Sequence, residues 1–358
     1  TLAAARKAAV EARIRAARGE DPADVPRQQH QELVDNSCNT FAKVRDDFLT
    51  KYRGRQNRHP APRTLAEIKR VLTSELFNGW KDRPLVEVTR RNVLDVLDVL
   101  VDRGAEVMAN RTLAYLSMLF AWALDRNIIK ADPTDSIKKP GAETSRARVL
   151  SPLELRTIWL STETGQGDLF EGIVKILILS GQRRNEVAGM RWSEINGEIW
   201  HLPGERTKNH LPHLVPLSAP VLAILAKRRN EQQALGLNVD LVFTSYNPDF
   251  KRYKHSATPR HFSGWSKSKS RLDERAMIES WTLHDLRRTM ATLMAEKLQI
   301  TPHIIEAIIN HVSGTKAGVA GTYNRALYLD ERKKTLNTWA DYVLRIIHCE
   351  DADLLINQ

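Results

Sequence analysis

The chain has 358 residues, 42% of them hydrophobic, with 54 Lys and Arg against 43 Asp and Glu, a formal charge of +11. That length exceeds one ordinary core and predicts two domains, and the basic balance points to a polyanionic partner. No apolar run approaches the roughly 20 residues of a membrane span, and Cys38 and Cys349, at opposite ends, point to no disulfide framework or cysteine metal cluster, so a reducing cytoplasm is expected.

Residues 1–31 form the first segment. Leu2 to Arg18 is rich in Ala and Arg and predicts a helix, which Gly19-Glu20-Asp21-Pro22 ends. No secretory signal is visible. Residues 32–135 carry regular helical signals. Phe41, Val44, Phe48 and Leu49 make one stripe; Leu65, Ile68, Val71, Leu72 and Leu76 make a second. Asn92 to Val101, with Thr89 as a cap, is a third helix, and Arg111 to Arg126 a fourth. Residues 136–148 hold Lys138, Lys139, Arg146 and Arg148 around Pro140-Gly141 and read as a basic interdomain linker.

Residues 149–358 form the second domain. Ser151-Pro152-Leu153-Glu154 is a capping box with Pro in the first turn. Phe170 to Leu179 is apolar almost all round, hence a buried helix that holds Arg183 at its end. Trp192–Ile195, Glu198–Leu202 and His213–Leu217 read as three short strands, the last two joined by a turn containing Lys208. The fold class is therefore mainly α with a small antiparallel sheet. Tyr253 to Arg271 is a basic stretch with Lys254, Arg260, Lys267, Lys269 and Arg271; it reads either as a disordered basic loop or as a phosphate-contacting surface. In Trp281 to Tyr323, His284 and Arg287 share one helix face, and Asn310-His311-Val312-Ser313-Gly314 follows an Ile-rich helix. Leu336, Trp339, Tyr342, Val343, Ile346 and Ile347 recur at helical spacing near the end.

A guanidinium grips two phosphate oxygens, and an imidazole exchanges a proton near neutral pH. The ordered set Arg183, Lys208, His284-x-x-Arg287, His311 and Tyr323 resembles the active-site set of the tyrosine recombinases, the phage-integrase family, as found in phage and genomic-island integrases. Gly181-x-Arg183-x-x-Glu186 resembles the family's first arginine motif, and Leu283-His284-Asp285-Leu286-Arg287-Arg288-Thr289 its second box. The likeness runs from about Val149 to Tyr342 and, more loosely, from Asn36 to Lys130. It implies a helical core-binding domain that clamps DNA and an α+β catalytic domain of the DNA breaking-rejoining type. Family members often carry an arm-binding domain ahead of such a segment. If this protein has one, it precedes Thr1; residues 1–31 are either a solvated helix and linker or a DNA-contacting arm.

The resemblance implies roles. Tyr323 attacks the phosphorus and forms a 3′-phosphotyrosine, with no ATP. Arg183 and Arg287 hold the non-bridging oxygens, Lys208 protonates the departing 5′ oxygen, His284 takes the tyrosine proton and His311 donates to a phosphate oxygen. Glu186 either orients Arg183 or is an ordinary helix carboxylate. Asn310 stands where the family usually has Gly, which marks the local turn as a departure. The partners implied are double-stranded DNA, further copies in a tetramer on DNA, and accessory bending or directionality proteins. The final apolar stripe either packs on its own domain or docks on a neighbouring protomer.

No cofactor is expected, because there is neither a phosphate-cradling Gly-x-x-x-x-Gly-Lys motif nor a metal motif. His210-x-x-His213 has ligand spacing without a third ligand nearby. Two other readings of the chain are a type IB topoisomerase-like nicking-closing enzyme and a non-catalytic DNA-binding protein of the same fold.

Overall fold

Four helix starts in this chain are set by local side-chain caps, at Thr40, Thr89, Ser151 and Thr282. The computed structural model describes residues 1–18, 27, 38–54, 57–143, 147–163, 169–244, 260–311 and 326–349. The chain divides into two units, Thr1–Ser145 and Arg146–Gln358.

In the first unit α1 (Leu2–Ala17) buries no residue. The core is built by α2 (Phe41–Lys51), α3 (Pro62–Leu72), α4 (Arg90–Asp102) and α5 (Glu106–Leu124). Thr89 opens α4 through a reciprocal cap: its backbone N–H donates to Asn92 Oδ1 at 3.0 Å, and its hydroxyl accepts from the Asn92 N–H at 3.4 Å. Phe41, Phe48, Ile68, Leu72, Leu97, Leu116 and Phe120 are buried together. α5 begins at Glu106, ahead of the expected Arg111, because only a tight turn at Gly104 separates it from α4.

The segment read as a linker is partly packed. Buried Asn110 on α5 donates to the Gly141 carbonyl at 2.8 Å and to Glu143 at 2.9 Å, and accepts from the Gly141 N–H at 3.0 Å. Residues 136–143 therefore belong to the first unit's fold rather than to a free tether.

In the second unit α6 (Pro152–Ser161) starts at the Ser151–Glu154 capping box. The buried helix α7 (Leu169–Ser180) runs through the core, as its apolar sequence requires. Around it lie α8 (Arg184–Ala188), α9 (Ala219–Ala234), α10 (Trp265–Ala276), α11 (Leu283–Glu296), α12 (Pro302–Ile308) and α13 (Leu329–His348). β1 (Ile195–Asn196), β2 (Ile199–Leu202) and β3 (His213–Pro216) form an antiparallel sheet in sequence order, with Trp200 opposite Val215 and Leu202 opposite His213.

Three expectations are corrected. Trp192–Glu194 is a 3-10 turn, not strand: Glu194 turns inward, accepting from the Arg191 N–H at 3.2 Å and the Trp200 indole at 2.9 Å. Lys267, Lys269 and Arg271 lie on helix α10, not in a loop, because Leu272 and Ala276 anchor one face in the core. The final apolar stripe is intramolecular. Leu336, Trp339, Tyr342, Val343, Ile346 and Ile347 are all in the core of their own unit, and the Trp339 indole donates to the Ile178 carbonyl of α7 at 2.9 Å. It is not a docking face.

Candidate functional site

The first arginine motif sits where α7 stops. Gly181 has φ +63°, and a Cβ there would meet Met290 Sδ at 2.4 Å, so both backbone angle and space require glycine. Two residues on, Arg183 caps α8. Its backbone N–H donates to Glu186 Oε2 at 3.0 Å and its guanidinium to Glu186 Oε1 at 2.9 Å. Glu186 is buried, at 3% exposure, and is therefore an orienting carboxylate rather than a surface one. The same guanidinium donates to the Asn310 carbonyl at 3.2 Å.

The second box opens α11. Thr282 and Asp285 form its capping box, and the buried Asp285 carboxylate also accepts from Arg288 at 2.7 Å. Arg287 points the other way, into the unit. It is only 7% exposed, and it donates to the Gly181 carbonyl at 2.7 Å and to the Ile309 carbonyl. Arg183 and Arg287 thus bind consecutive carbonyls of the turn that ends α12. Of five guanidinium N–H groups, each arginine uses two in these side-chain bonds, which leaves about three for an anion. Burial first, and then the Arg183 charge, pull the Arg287 pKa down to about 10. Arg287 remains a cation at neutral pH, in surroundings that favour an incoming negative charge.

His284 stands one turn before Arg287 on α11, with its surface open to solvent. Its pKa lies below the ordinary histidine value, first through partial burial of the ring and then through Arg287 and Arg288. The neutral imidazole is the form that accepts a proton. His311 follows the turn at Asn310 and is exposed; its backbone N–H donates to the Glu306 carbonyl at 3.0 Å. Asn310 has φ +47°, the left-handed conformation. The departure from glycine therefore keeps the same backbone, with the residue type that tolerates it best among those with side chains.

Lys208 is exposed in the turn between β2 and β3. That hairpin is fastened by residues sequence reasoning did not single out. Buried Glu194 takes Arg206, and Arg206 also donates to the Glu186 carbonyl at 2.7 Å. Asn209 pairs with the side chain of Asn310. A polar residue flanking a candidate lysine is too common a signal to find them by. Buried His213 is committed inside the unit, its Nε2 on the Ile308 carbonyl at 3.0 Å and its Nδ1 facing Arg332 at 3.4 Å. A metal on that ring would face a cation. Among the described residues no three His, Cys, Asp or Glu side chains are grouped to hold a metal, and no helix is long and apolar enough to cross a membrane.

Tyr323 lies outside the described residues, as do Arg146, Lys254 and the 312–322 stretch before the tyrosine. Of the other basic candidates, Lys138, Arg260, Lys267 and Arg271 are exposed. Lys139 pairs with Glu143 at 3.3 Å, Lys269 with Asp273 at 2.5 Å, and Arg148 with Glu154, so these three are already engaged within the protein.

Two arginines from separate segments thus meet at one turn, on the carbonyls of Asn310 and Ile309. The phage integrase family model matches residues 117–328, and the model of the phage integrase central domain matches residues 41–140. The chain belongs to the phage integrase family and is a tyrosine-type site-specific recombinase. It is 24% identical over 356 residues to the prophage integrase IntZ of Escherichia coli (strain K12), which covers 97% of this chain and 82% of that one. Two solved structures share the fold. A lambda integrase dimer bound to a COC′ core site has a TM-score of 0.61 at 20% identity, covering 83% of this chain and 80% of that chain. A lambda integrase tetramer bound to a Holliday junction has a TM-score of 0.59 at 18% identity, covering 78% of each.

Proposed function

We propose that this protein integrates or excises a mobile element by cutting and rejoining duplex DNA through a covalent 3′-phosphotyrosine. The observation that carries the reading is the convergence of Arg183 and Arg287 on the consecutive carbonyls of Ile309 and Asn310, directly before His311. Residues more than 100 positions apart meet there, and among the described residues one carboxylate, Glu186, is bound directly to their positive charge.

The chemistry follows from what a phosphodiester resists. Its charge repels a nucleophile, and its leaving alkoxide is poor. Arg183 and Arg287 take the two non-bridging oxygens, each contributing about 3–4 kcal/mol in the transition state, as a removed oxyanion-hole donor would cost. Tyr323 Oη bonds to phosphorus as the bond from phosphorus to O5′ breaks. His284, held neutral, accepts the phenol proton, and Lys208 supplies a proton to O5′. His311 donates to a non-bridging oxygen. Rejoining runs the same steps backwards: a 5′-hydroxyl attacks the phosphotyrosine, and the bond energy is conserved.

Lys138, Arg260, Lys267 and Arg271 are the basic side chains best placed to meet DNA phosphates, because they are exposed. Assembly into a tetramer on DNA is proposed from the lambda integrase tetramer on a Holliday junction. The apolar face of α13 is spent on the unit's own core, so contacts between copies are formed by other segments. A bacterial cytoplasmic setting accords with this activity.

Tyr323→Phe tests the nucleophile. The variant is expected to bind duplex DNA as the wild type does and to form no covalent adduct on a nicked suicide substrate. EDTA should leave wild-type cleavage intact. An undiminished adduct in Tyr323→Phe, or cleavage lost on chelation and restored by metal, overturns the mechanism.

A further inference from the structure

Asn310 is more than a tolerated replacement for glycine. Its side-chain amide faces that of Asn209 in a reciprocal pair, Asn209 Nδ2 donating to Asn310 Oδ1 at 2.9 Å and Asn310 Nδ2 donating to Asn209 Oδ1 at 3.4 Å. Both residues are half-buried. Asn209 directly follows Lys208, and its Oδ1 also accepts from the Leu211 N–H at 3.3 Å, so the amide pair holds the turn's backbone as well. The Asn310 carbonyl accepts from Arg183, the preceding Ile309 carbonyl accepts from Arg287, and His311 comes next.

The other side of the same hairpin is held independently. Arg206 binds Glu194 and the carbonyl of Glu186, the residue whose carboxylate orients Arg183. Lys208 therefore lies between two anchors that both lead back to Arg183. The lysine side chain itself is exposed, with no hydrogen bond or ion pair among the described residues. Its turn is held on both sides while its ammonium stays open to solvent. An acid that must reach one leaving oxygen needs that arrangement, since a displacement near 1 Å at a reacting group can cost about 100-fold in rate.

We propose that the Asn209–Asn310 amide pair is a clamp that registers the Lys208 turn against the Arg183–Arg287 pair, with Asn310 a positioning residue for proton delivery to the leaving oxygen. A glycine at 310 would supply the backbone turn and no clamp. The proposal rests on Lys208 as the general acid.

Asn310→Gly is the sharp test, because it keeps the left-handed turn, relieves its strain and deletes only the amide. Asn209→Ala removes the partner. Single-turnover cleavage is measured on an ordinary suicide substrate and on one whose bridging 5′ oxygen is sulfur, which leaves without a proton. Each variant is expected to be slowed about 10–100-fold on the oxygen substrate, to approach wild type on the sulfur substrate, and to bind a half-site normally. The double variant should be no slower than the worse single one. Equal defects on both substrates, additive defects, or an unaffected Asn310→Gly would overturn the clamp.

Lys208→Ala, run beside them, separates the two ideas: if sulfur does not rescue it, the general-acid reading fails on its own. The clamp is then decided by hydrogen exchange in residues 207–211. Exchange must rise in both Asn310→Gly and Asn209→Ala; unchanged protection there refutes it.

Discussion

Arg287 offers a test in which stability and activity move apart. The residue is buried, among the described residues its side chain bonds two carbonyls and no carboxylate, and its pKa is drawn down to about 10. A displacement of that size from the ordinary arginine value corresponds to roughly 3 kcal/mol by which the folded protein disfavours the cation. Arg287→Met fills much of the same volume and removes that penalty. It also leaves the carbonyls of Gly181 and Ile309 without this donor, at a cost of about 1–3 kcal/mol each. The two effects nearly cancel. The variant should therefore unfold within about 2 kcal/mol of wild type, not with the 3–5 kcal/mol loss of a broken buried ion pair.

The folded pKa is depressed but lies well above neutrality, so the group is charged in both states from about pH 6 to about pH 9. The stability difference between the two proteins should be flat across the part of that range above the ordinary histidine value, below which Arg287 also acts on His284. Cleavage, in contrast, should fall about 100- to 1,000-fold. Urea unfolding at several pH values and single-turnover cleavage read both quantities. A loss of 4 kcal/mol or more, or near-normal cleavage by a folded variant, would refute the view that Arg287 is a destabilising group retained for the phosphate.

Truncation after Asp341 removes Tyr342, Val343, Ile346 and Ile347, which are 0–7% exposed. At about 1.5–3 kcal/mol each this approaches the whole stability of a domain, so the product should fail to fold by circular dichroism; a folded, cleaving product would restore the docking role of the tail. For His284, the depressed pKa means that the unfolded chain binds the proton more readily. Its contribution to stability is complete above the ordinary histidine value and is lost as pH falls through the folded one. His284→Gln should accordingly flatten part of the acid loss in Tm below about pH 6.5, and wild-type cleavage should hold its plateau down to that region. A cleavage limb centred above about pH 7 would contradict a neutral base at this position. DNA binding should weaken steeply with salt, by about 0.9 in the log–log slope per neutralised phosphate. Lys267→Gln should reduce that slope by about one such step, whereas Lys269→Gln, whose ammonium pairs with Asp273 and lies 3.9 Å from the Trp281 ring centroid, should change it less. Equal effects of the two would remove the distinction drawn from burial.

By itself the sequence determined the elements whose cause is local. Thr89 and Ser151 announce helix starts because each cap lies within three residues of its partner. The unbroken apolar run of α7 announces a buried helix because no face of it is left for water. The order Arg183, Lys208, His284, Arg287, His311, Tyr323 was legible for a related reason, since each lies in a short local pattern. Tertiary structure decided what depends on partners distant in sequence. An apolar stripe on α13 is the same letters whether it meets its own core or another chain, and only the packing against α7 distinguishes them. The basic residues of 253–271 read alike until Asp273 and Trp281 are seen to occupy Lys269. Asn209 and Asn310 are 101 residues apart, and neither carries a charge or a motif that points to the other. A hydrogen bond reaches only about 3 Å, so which amide faces which is settled when the fold brings two turns together, and not before.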